Sequence, residues 1–347
     1  MIRYLQTIGM AMVPLMAVFL ALGQDGRADG PPPHGAITIT RDSDFHDCVC
    51  VTGGSGIPSD PYVIGPWLIT APSSGGWALK VDNSRGRVTK SFAVAGITGG
   101  YNDRDPSHPL VWLVKVVTGT TVANVVGNND GIGVLLDGVA HVALDAISVN
   151  KMNGDGVRIN ASTYVSIANS KLKSEQNGFH AEDSAFLEIG TTCPKACNEF
   201  TYDEGRGLWL HNTHDVLVRN LTTAANDTTS MYLDGRDTYN VEIAFSTANA
   251  DGSICTAEGP TGIATDTQGG IRLVNGANDN YIHDVTARGN ALDIASGGDG
   301  FWLNPCTGEE VRISPATAPM GEGNVFGPNL CYGTTNIAGL PPAACKQ

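Results

Sequence analysis

The sequence has few charged residues, and few of those are basic. Charged residues make up 16% of the chain, and 21 Lys and Arg stand against 35 Asp and Glu, which gives a formal net charge of −14. Proteins that bind nucleic acid usually present a basic face, so this balance argues against a nucleic-acid partner. It also provides no overall attraction to polyanions, although a local basic groove is compatible with it.

Long apolar runs are absent beyond the N-terminus. Arg3 precedes an apolar run from Ile8 to Leu22, and Ala21-Leu22-Gly23 and Ala28-Asp29-Gly30 have the small residues of a signal-peptidase site. The run is short for a membrane span, so an uncleaved anchor is the weaker alternative. We therefore predict a signal peptide at residues 1–23, a secreted or periplasmic protein, and no membrane span after cleavage.

The sequence contains no Cys-x-x-Cys-His motif, so covalent haem is not indicated. Its eight cysteines all follow the signal, and an even number in an exported chain predicts disulfides. Cys193 and Cys197 are close enough to close a small loop and are the disulfide candidates, whereas the other pairings stay open. His46, Cys48 and Cys50 could instead bind a metal, but oxidised cysteines are more common outside the cytosol.

Glycine, in contrast, is abundant, with 43 residues, and together with the low charge it indicates strands and tight turns. A four-residue pattern, Gly-apolar-x-apolar, recurs along the chain. Its shortest intervals, 23 and 22 residues, separate Gly133, Gly156 and Gly178 and define the basic coil, while longer intervals carry insertions. The openings are Gly133-Val134-Leu135-Leu136, Gly156-Val157-Arg158-Ile159, Gly178-Phe179-His180-Ala181, Gly207-Leu208-Trp209-Leu210, Ser230-Met231-Tyr232-Leu233, Gly270-Ile271-Arg272-Leu273 and Gly300-Phe301-Trp302-Leu303.

A second alternating run follows each of the first six openings, with Asn, Asp, Ser and Gly between the two runs. Alternation with a period of two indicates a half-buried strand, and the intervening residues are those that turns require. Short strands that repeat every coil and cannot bury their apolar faces alone predict a stacked parallel β-helix. The second runs are Val142-x-Leu144, Val165-x-Ile167, Leu187-x-Ile189, Val216-x-Val218, Val241-x-Ile243 and, with imperfect alternation, Tyr281-Ile282.

These repeats, with the opening segment Gly54 to Ile64, resemble the parallel β-helix repeat family (PbH1, NosD-like, pectin-lyase-like) over residues 57–330. The resemblance implies an all-β, single-stranded right-handed parallel β-helix. Members of that family include polysaccharide lyases, glycoside hydrolases, epimerases, accessory proteins of metal-site assembly and surface proteins. The resemblance therefore implies a fold and leaves the function to the site residues.

The expected organisation has four parts, because an open helix end needs a cover. Insertions are expected at residues 190–206 and 246–269, where the coils are longer. The parts are the signal peptide at 1–23, an N-terminal segment that starts the cap at 24–56, the parallel β-helix at 57–304, and a disulfide-rich C-terminal lid at 305–347 with Cys306, Cys331 and Cys345.

Both x positions of each opening strand should point away from the core and stack about 4.8 Å apart in successive coils. We call the two predicted stacks the first and the second outward column. The first column reads Leu135, Arg158, His180, Trp209, Tyr232, Arg272 and Trp302, and the second reads Asp137, Asn160, Glu182, His211, Asp234, Val274 and Asn304.

The outward columns are rich in aromatic, basic, imidazole and acidic side chains, which suits a polysaccharide groove. Aromatic rings stack on sugar faces, and charged groups make directed contacts with hydroxyls or carboxylates. A ladder of side chains that only stabilises the sheet is the alternative. The predicted substrate-binding residues are Arg158, Trp209, Tyr232, Arg236, Arg272 and Trp302, and the predicted catalytic residues are His180, Glu182, His211 and Asp234.

Two chemistries fit these residues. Glu182 and Asp234 should lie two coils, about 9.6 Å, apart, near the upper limit for the carboxylates of inverting glycosidases. In β-elimination of a uronate polymer, Arg158 or Arg272 would neutralise the carboxylate, and His180, His211 or Tyr232 would transfer protons. The acidic net charge weighs mildly against a polyanionic substrate.

Other functions remain open at the level of sequence. A surface or binding β-helix without catalysis would use the same columns for docking, and a periplasmic accessory protein could hold a metal with His180, Glu182, His211 and Asp234. No cofactor is required by any motif, although the acidic loop Asn102 to Asp105 could bind Ca²⁺. The oligomeric state is not predicted.

Overall fold

Strands dominate the described chain because each short alternating run pairs with the equivalent run one coil away. The computed structural model describes residues 30–70, 75–99, 105–192, 197–201, 203–224, 226, 229–249, 269–288, 294–296, 300–303, 310–313, 323–327, 329–331 and 345–346. Pro31–Gln347 belong to one compact unit. The predicted signal peptide lies outside the described residues.

The described elements are one short helix and thirty-four strands. The helix, α1, spans Asp42–Asp47. The strands are, in chain order, β1 Ile37–Ile39, β2 Val51–Gly53, β3 Tyr62–Ile64, β4 Trp67–Ile69, β5 Leu79–Asp82, β6 Phe92–Ala95, β7 Ile97–Gly99, β8 Pro109–Val114, β9 Thr120–Ala123, β10 Val126–Asn128, β11 Ile132–Asp137, β12 Ala140–Asp145, β13 Ser148–Met152, β14 Val157–Asn160, β15 Thr163–Ala168, β16 Lys171–Ser174, β17 Phe179–Glu182, β18 Ala185–Ile189, β19 Asn198–Thr201, β20 Arg206–His211, β21 His214–Arg219, β22 Leu221–Ala224, β23 Thr229–Asp234, β24 Val241–Ala244, β25 Thr247–Asn249, β26 Gly269–Val274, β27 Tyr281–His283, β28 Thr286–Arg288, β29 Ile294–Ser296, β30 Gly300–Leu303, β31 Glu310–Ile313, β32 Val325–Phe326, β33 Asn329–Cys331 and β34 Cys345–Lys346.

Three long sheets run the length of the coil, and neighbouring strands in each sheet come from successive coils. The first sheet has the order β1-β5-β8-β11-β14-β17-β20-β23-β26-β29. The second has the order β2-β3-β6-β9-β12-β15-β18-β21-β24-β27-β32, and the third has β34-β33-β28-β25-β22-β19-β16-β13-β10-β7-β4. Apart from the antiparallel pair of β2 with β3, the pairs within these sheets are parallel, as the predicted parallel β-helix requires.

The opening glycines of the repeat lie where successive coils approach most closely. An added Cβ at Gly133 would lie 2.3 Å from the carbonyl oxygen of Gly156, and one at Gly156 would lie 2.6 Å from that of Gly178. A side chain at either position would clash with backbone, which explains why the repeat opens with glycine.

The two apolar positions after each glycine form the core. Val157 and Ile159 on β14 are fully buried, as are Leu208 and Leu210 on β20. Each such side chain stabilises the fold by about 1.5–3 kcal/mol through removal from water. The alternation in the sequence therefore reports directly which positions face inwards.

A ladder of hydroxyl side chains marks the bend between the first and second sheets. The backbone N–H of Val139 donates to Ser162 Oγ at 3.1 Å, and that of Ser162 donates to Ser184 Oγ at 3.1 Å. Thr213 and Thr238 continue the series in the next coils. Buried hydroxyls thus satisfy backbone donors that leave the sheet ladder at this bend.

The N-terminal part packs α1 over the first coils. Phe45 of α1 is buried and stacks on Tyr62 with ring centroids 5.0 Å apart, and its ring also contacts Phe92 at 5.6 Å. Within the described ranges, no helix is long and apolar enough to cross a membrane.

The expectation that Gly300-Phe301-Trp302-Leu303 opens another coil is wrong. β30, which contains these residues, pairs antiparallel with β31 in a separate two-stranded sheet. The next coil of the first sheet is formed instead by β29, in which Ala295 lies beside Arg272. A short apolar run suits a hairpin as well as a coil, and the partner strand decides between them.

The predicted insertion at 190–206 contains β19, a regular strand of the third sheet, so part of this segment belongs to the coil itself. In the predicted C-terminal lid, β32 extends the second sheet, and β33 and β34 extend the third. The disulfides expected in this lid are not confirmed, and Cys306 lies outside the described residues.

Candidate functional site

The first outward column exists as predicted over six of its seven positions. Backbone register places Leu135 beside Arg158, Arg158 beside His180, and His180 beside Trp209. Tyr232 and Arg272 follow in the next two coils. The repeat spacing in the sequence was therefore sufficient to align these side chains in space.

Two predicted substrate-binding residues lie elsewhere. Trp302 belongs to the separate antiparallel hairpin, so it does not continue the column. Arg236 is exposed and lies in the turn after β23, where its backbone carbonyl accepts a hydrogen bond from Asn278 Nδ2. Neither residue shares the strand positions of Trp209 and Tyr232.

The second outward column is also in register. Asn160, Glu182, His211 and Asp234 occupy equivalent positions on β14, β17, β20 and β23. Glu182 and Asp234 are therefore two coils apart, as expected, which corresponds to about 9.6 Å between backbones.

The columns are less open to solvent than the sequence predicts. His180, Tyr232, Asp234 and Arg272 are each less than 9% exposed, although their positions face away from the apolar core. Large side chains on neighbouring strands, about 4.8 Å apart, shield one another from solvent. Alternation in the sequence predicts which way a side chain points, but it does not predict this shielding. The partly exposed members of the described columns are Leu135, Asp137, Arg158, Asn160, Glu182, Trp209 and His211.

Two stacked rings lie at the centre of the site. The rings of His180 and Trp209 are 4.0 Å apart and nearly parallel, with an interplanar angle of 4°. Arg206, at the start of β20, places its guanidinium 4.4 Å from the Trp209 ring and 4.2 Å from the Tyr232 ring. The cation thereby fixes both aromatic side chains from one side.

Arg206 was not among the predicted residues, although it immediately precedes an opening glycine. Burial lowers the pKa of its guanidinium below the usual value, and electrostatic interactions with the Tyr232 and Asp234 side chains act in the opposite direction. A guanidinium remains charged under such conditions, so Arg206 is a permanent positive charge within the site.

His211 and Asp234 form a hydrogen-bonded pair. His211 Nδ1 lies 3.0 Å from Asp234 Oδ2, and Asp234 Oδ1 accepts a second hydrogen bond from Asn275 Nδ2. An ionised carboxylate only accepts, so Nδ1 carries the proton and Nε2 is an acceptor. Asn212 Nδ2 donates a hydrogen bond to that Nε2 at 3.2 Å, so a substrate has to displace the Asn212 amide to reach it. The arrangement fixes the tautomer that a general base needs.

A second pair joins His180 to Asp155. His180 Nδ1 lies 3.2 Å from Asp155 Oδ2, and the other carboxylate oxygen accepts hydrogen bonds from the backbone and side chain of Asn177. Among the described residues, His180 Nε2 has no hydrogen-bond partner, but the side chain is buried. His211, which is 31% exposed, is thus the histidine that a substrate can reach.

Asp155 was missed by the sequence reasoning, yet the sequence carries a signal for it. A polar residue directly precedes an opening glycine in Asp155-Gly156 and again in Asn177-Gly178. Such a position lies at the edge of the outward face, where its side chain can reach the column.

Arg158 connects the two outward columns. Its Nη2 lies 3.7 Å from Glu182 Oε2, and its Nε lies 3.9 Å from Asp155 Oδ2 and 3.4 Å from Asn160 Oδ1. The side chains of Arg158 and Glu182 are 35% and 39% exposed, so both remain accessible. Asp234, in contrast, is held by His211 and Asn275, which makes it a poor partner for Glu182 in acid-catalysed hydrolysis.

The geometry does not assemble the metal site considered above. Across the described ranges, no three His, Cys, Asp or Glu side chains converge as a set that could hold a metal. Cys48 and Cys50 are joined by a disulfide, so the metal alternative with His46 is wrong. In the acidic loop considered for Ca²⁺, residues 102–104 lie outside the described residues. Cys197 is disulfide-bonded, and Cys193 also lies outside the described residues.

Residues 130–308 match the family described as the right handed beta helix region. Among solved structures, the chain is similar to a hyperthermoactive exopolygalacturonase from Thermotoga maritima, with a TM-score of 0.37 and 12% sequence identity. That alignment covers 75% of this chain and 74% of the other. A likeness of this degree assigns no activity. No curated protein matches the sequence significantly.

Proposed function

The chain belongs to the right-handed β-helix family, and from the side chains that this fold aligns we propose that it acts on a polysaccharide lying along the first sheet. The observation that carries the proposal is the half-exposed Trp209 beside the hydrogen-bonded pair of His211 and Asp234. The signal peptide predicted from the sequence supports an activity outside the cytoplasm, in the periplasm or the medium.

The roles follow from exposure and charge. His180 covers one face of the Trp209 ring and the Arg206 guanidinium lies over the other, so the partly exposed edge of the ring contacts the sugar as an apolar surface. Arg158 contacts a hydroxyl or a carboxylate of the sugar, and Glu182 orients that guanidinium. The Arg206 guanidinium lies between the rings of Trp209 and Tyr232, holds the Trp209 ring in place and adds positive charge to the site.

His211 is the group for proton transfer. Asp234 holds its Nδ1–H, so Nε2 is the nitrogen that takes a proton from the substrate once the substrate displaces Asn212 Nδ2. In β-elimination His211 would take the proton on the carbon next to a uronate carboxylate, which Arg158 would neutralise, while the bond to the leaving glycosidic oxygen breaks and that oxygen takes a proton from water. In hydrolysis the same nitrogen would instead activate water, with Glu182 as the acid.

Non-catalytic binding of a polysaccharide is the second candidate. The observation in its favour is that the charged members of the site are already paired with one another, as in His180 with Asp155 and Arg158 with Glu182. A docking strip needs only the exposed edge of the aromatic ring and the directed polar contacts, without a free base.

A polysaccharide screen that follows both reducing ends and the ultraviolet absorbance of unsaturated products separates these candidates. Catalysis predicts turnover of at least one glycan that is lost in His211→Ala. Binding alone predicts no turnover, together with retention on a glycan column that Trp209→Ala abolishes. Failure of the wild type both to cleave and to bind any glycan would refute the proposal.

A further inference from the structure

The first outward column extends at least two coils before Leu135, the first member that the repeat predicts. Backbone register places Lys80 beside Trp112, and Trp112 beside Leu135. Five coils, about 24 Å, therefore separate Lys80 from Trp209 along one continuous face. A polysaccharide that lies on this face can reach both ends.

Two tryptophans and a lysine form a cluster at this end. The Lys80 ammonium lies 3.9 Å from the Trp112 ring and 4.8 Å from the Trp77 ring, and the two rings are 5.8 Å apart. Trp77 Nε1 donates to Thr38 Oγ1 at 3.0 Å, so the half-exposed Trp77 ring is anchored. The cluster provides an aromatic surface like that of Trp209.

A cavity of about 230 Å³ adjoins the cluster. Its lining includes Thr40 and Asp82, which lie at the ends of β1 and β5, next to the strand positions of Thr38 and Lys80. The residues that line it are Thr40, Asp82, Ser84, Arg85 and Arg87.

The charge of this cavity is positive. Lys80 Nζ lies 3.1 Å from Asp82 Oδ2 and neutralises the one carboxylate in the lining. Arg85 and Arg87 are exposed, and within the described ranges neither guanidinium has an ion pair or a side-chain hydrogen bond. Two guanidiniums without an ion pair favour an anionic ligand, whereas the hydroxyls of Thr40 and Ser84 already donate to Asp44 and Asp82.

The loop that carries the arginines is held by hydrogen bonds. Asn83 Oδ1 accepts from the backbone of Val88 at 2.8 Å, and Asp82 Oδ1 accepts from the backbone of Ser84 at 2.9 Å. Gly86 closes the turn with φ of 64° and donates to the Asn83 carbonyl. The guanidiniums therefore project from a fixed turn, which lowers the entropic cost of binding.

We propose that this cavity, with the Trp77 surface beside it, is a distal subsite for a sugar that carries a carboxylate or sulfate group. This inference rests on the proposed function, because it takes the ligand to be the polysaccharide that reaches Trp209. It adds that the polymer is acidic and that it spans about five coils of the first sheet. Local positive charge at Arg85 and Arg87 overcomes the acidic net charge of the chain at short range.

The test replaces both arginines in the full chain, as Arg85→Gln with Arg87→Gln. The matched control removes two exposed lysines of the third sheet, as Lys151→Gln with Lys171→Gln. Binding is measured by calorimetry at low ionic strength with polygalacturonate, dextran sulfate and unmodified dextran. The first two polymers distinguish a carboxylate from a sulfate group, and the third carries neither.

Loss of contacts with a charged group should weaken binding of at least one anionic polymer by about tenfold or more, while the control binds as the wild type does. Affinity for unmodified dextran should not change. The inference is overturned if the arginine variant keeps wild-type affinity, if the control loses as much, or if the wild type binds neither anionic polymer.

Trp209→Ala separates this subsite from the proposed function. If it weakens binding and the arginine variant does not, the candidate site stands and the subsite is refuted. If only the arginine variant weakens binding, the cavity binds acidic sugars but the polymer does not reach Trp209, which refutes the proposed function instead.

Discussion

Replacement of Asp234 by Asn should remove the base function of His211 while leaving the shape of the site unchanged. Asn275 Nδ2 donates to Asp234 Oδ1, so an asparagine that keeps this bond turns its carbonyl towards Asn275. Its amide NH₂ then faces His211 Nδ1, which must become the acceptor. His211 Nε2 consequently carries the proton and no longer accepts one.

The expected loss in kcat is about 10²–10⁴, the usual contribution of general acid–base catalysis, and KM should change little because no sugar contact is removed. The assay is the initial rate on a polysaccharide that the wild type cleaves, together with a thermal melt that confirms folding. Asp137→Asn is the matched control, since Asp137 lies in the same outward column and makes no side-chain hydrogen bond within the described ranges. A rate for Asp234→Asn within a few-fold of the wild type, or an equal loss in Asp137→Asn, would show that the reasoning is wrong.

Two further predictions concern the fold. Gly156→Ala should lower the free energy of unfolding by about 1–3 kcal/mol, because the new Cβ would lie 2.6 Å from the carbonyl oxygen of Gly178, whereas Gly35→Ala, with no atom within 4 Å, should be near neutral in urea titrations. Burial opposes the charge of Asp42, but hydrogen bonds from Thr89 and Lys90 outweigh it and hold the pKa of this carboxyl below its ordinary value. The stability that this shift contributes is fully present above the pKa of Asp42 in the unfolded chain and is lost as the pH falls through its pKa in the folded chain. Asp42→Asn should therefore make the free energy of unfolding depend less on pH below about pH 5. An unchanged pH profile would contradict this prediction.

The outward columns could be predicted because the repeat fixes register. In a parallel coil, equal distance from the opening glycine means equal position along the strand, so Arg158, His180 and Trp209 align without further information. The early coils were missed because Ala78 and Leu110 stand where later coils have glycine. The strands of these coils pair in the same way, but the opening glycine that marks each later coil in the sequence is absent.

The partners of the site could not be read from strand positions. Asp155 and Asn275 lie in turns, and their contacts with His180 and Asp234 depend on how each turn places its side chain. Trp302 is the converse case, because its sequence repeats the pattern but its strand pairs antiparallel with the strand of Val311 and forms a hairpin. Local periodicity thus predicts strand direction and register, whereas burial and turn contacts require the folded chain.

The central claim is that a polysaccharide lies on the first sheet at Trp209, and the dissociation constant of Trp209→Ala for a bound glycan tests it most directly. Removal of a central tryptophan that contacts the glycan should weaken binding by about thirtyfold or more. Tyr281→Ala, which removes a 39% exposed ring on the second sheet, should leave the constant unchanged. Wild-type affinity in Trp209→Ala, or an equal loss in Tyr281→Ala, would contradict the account.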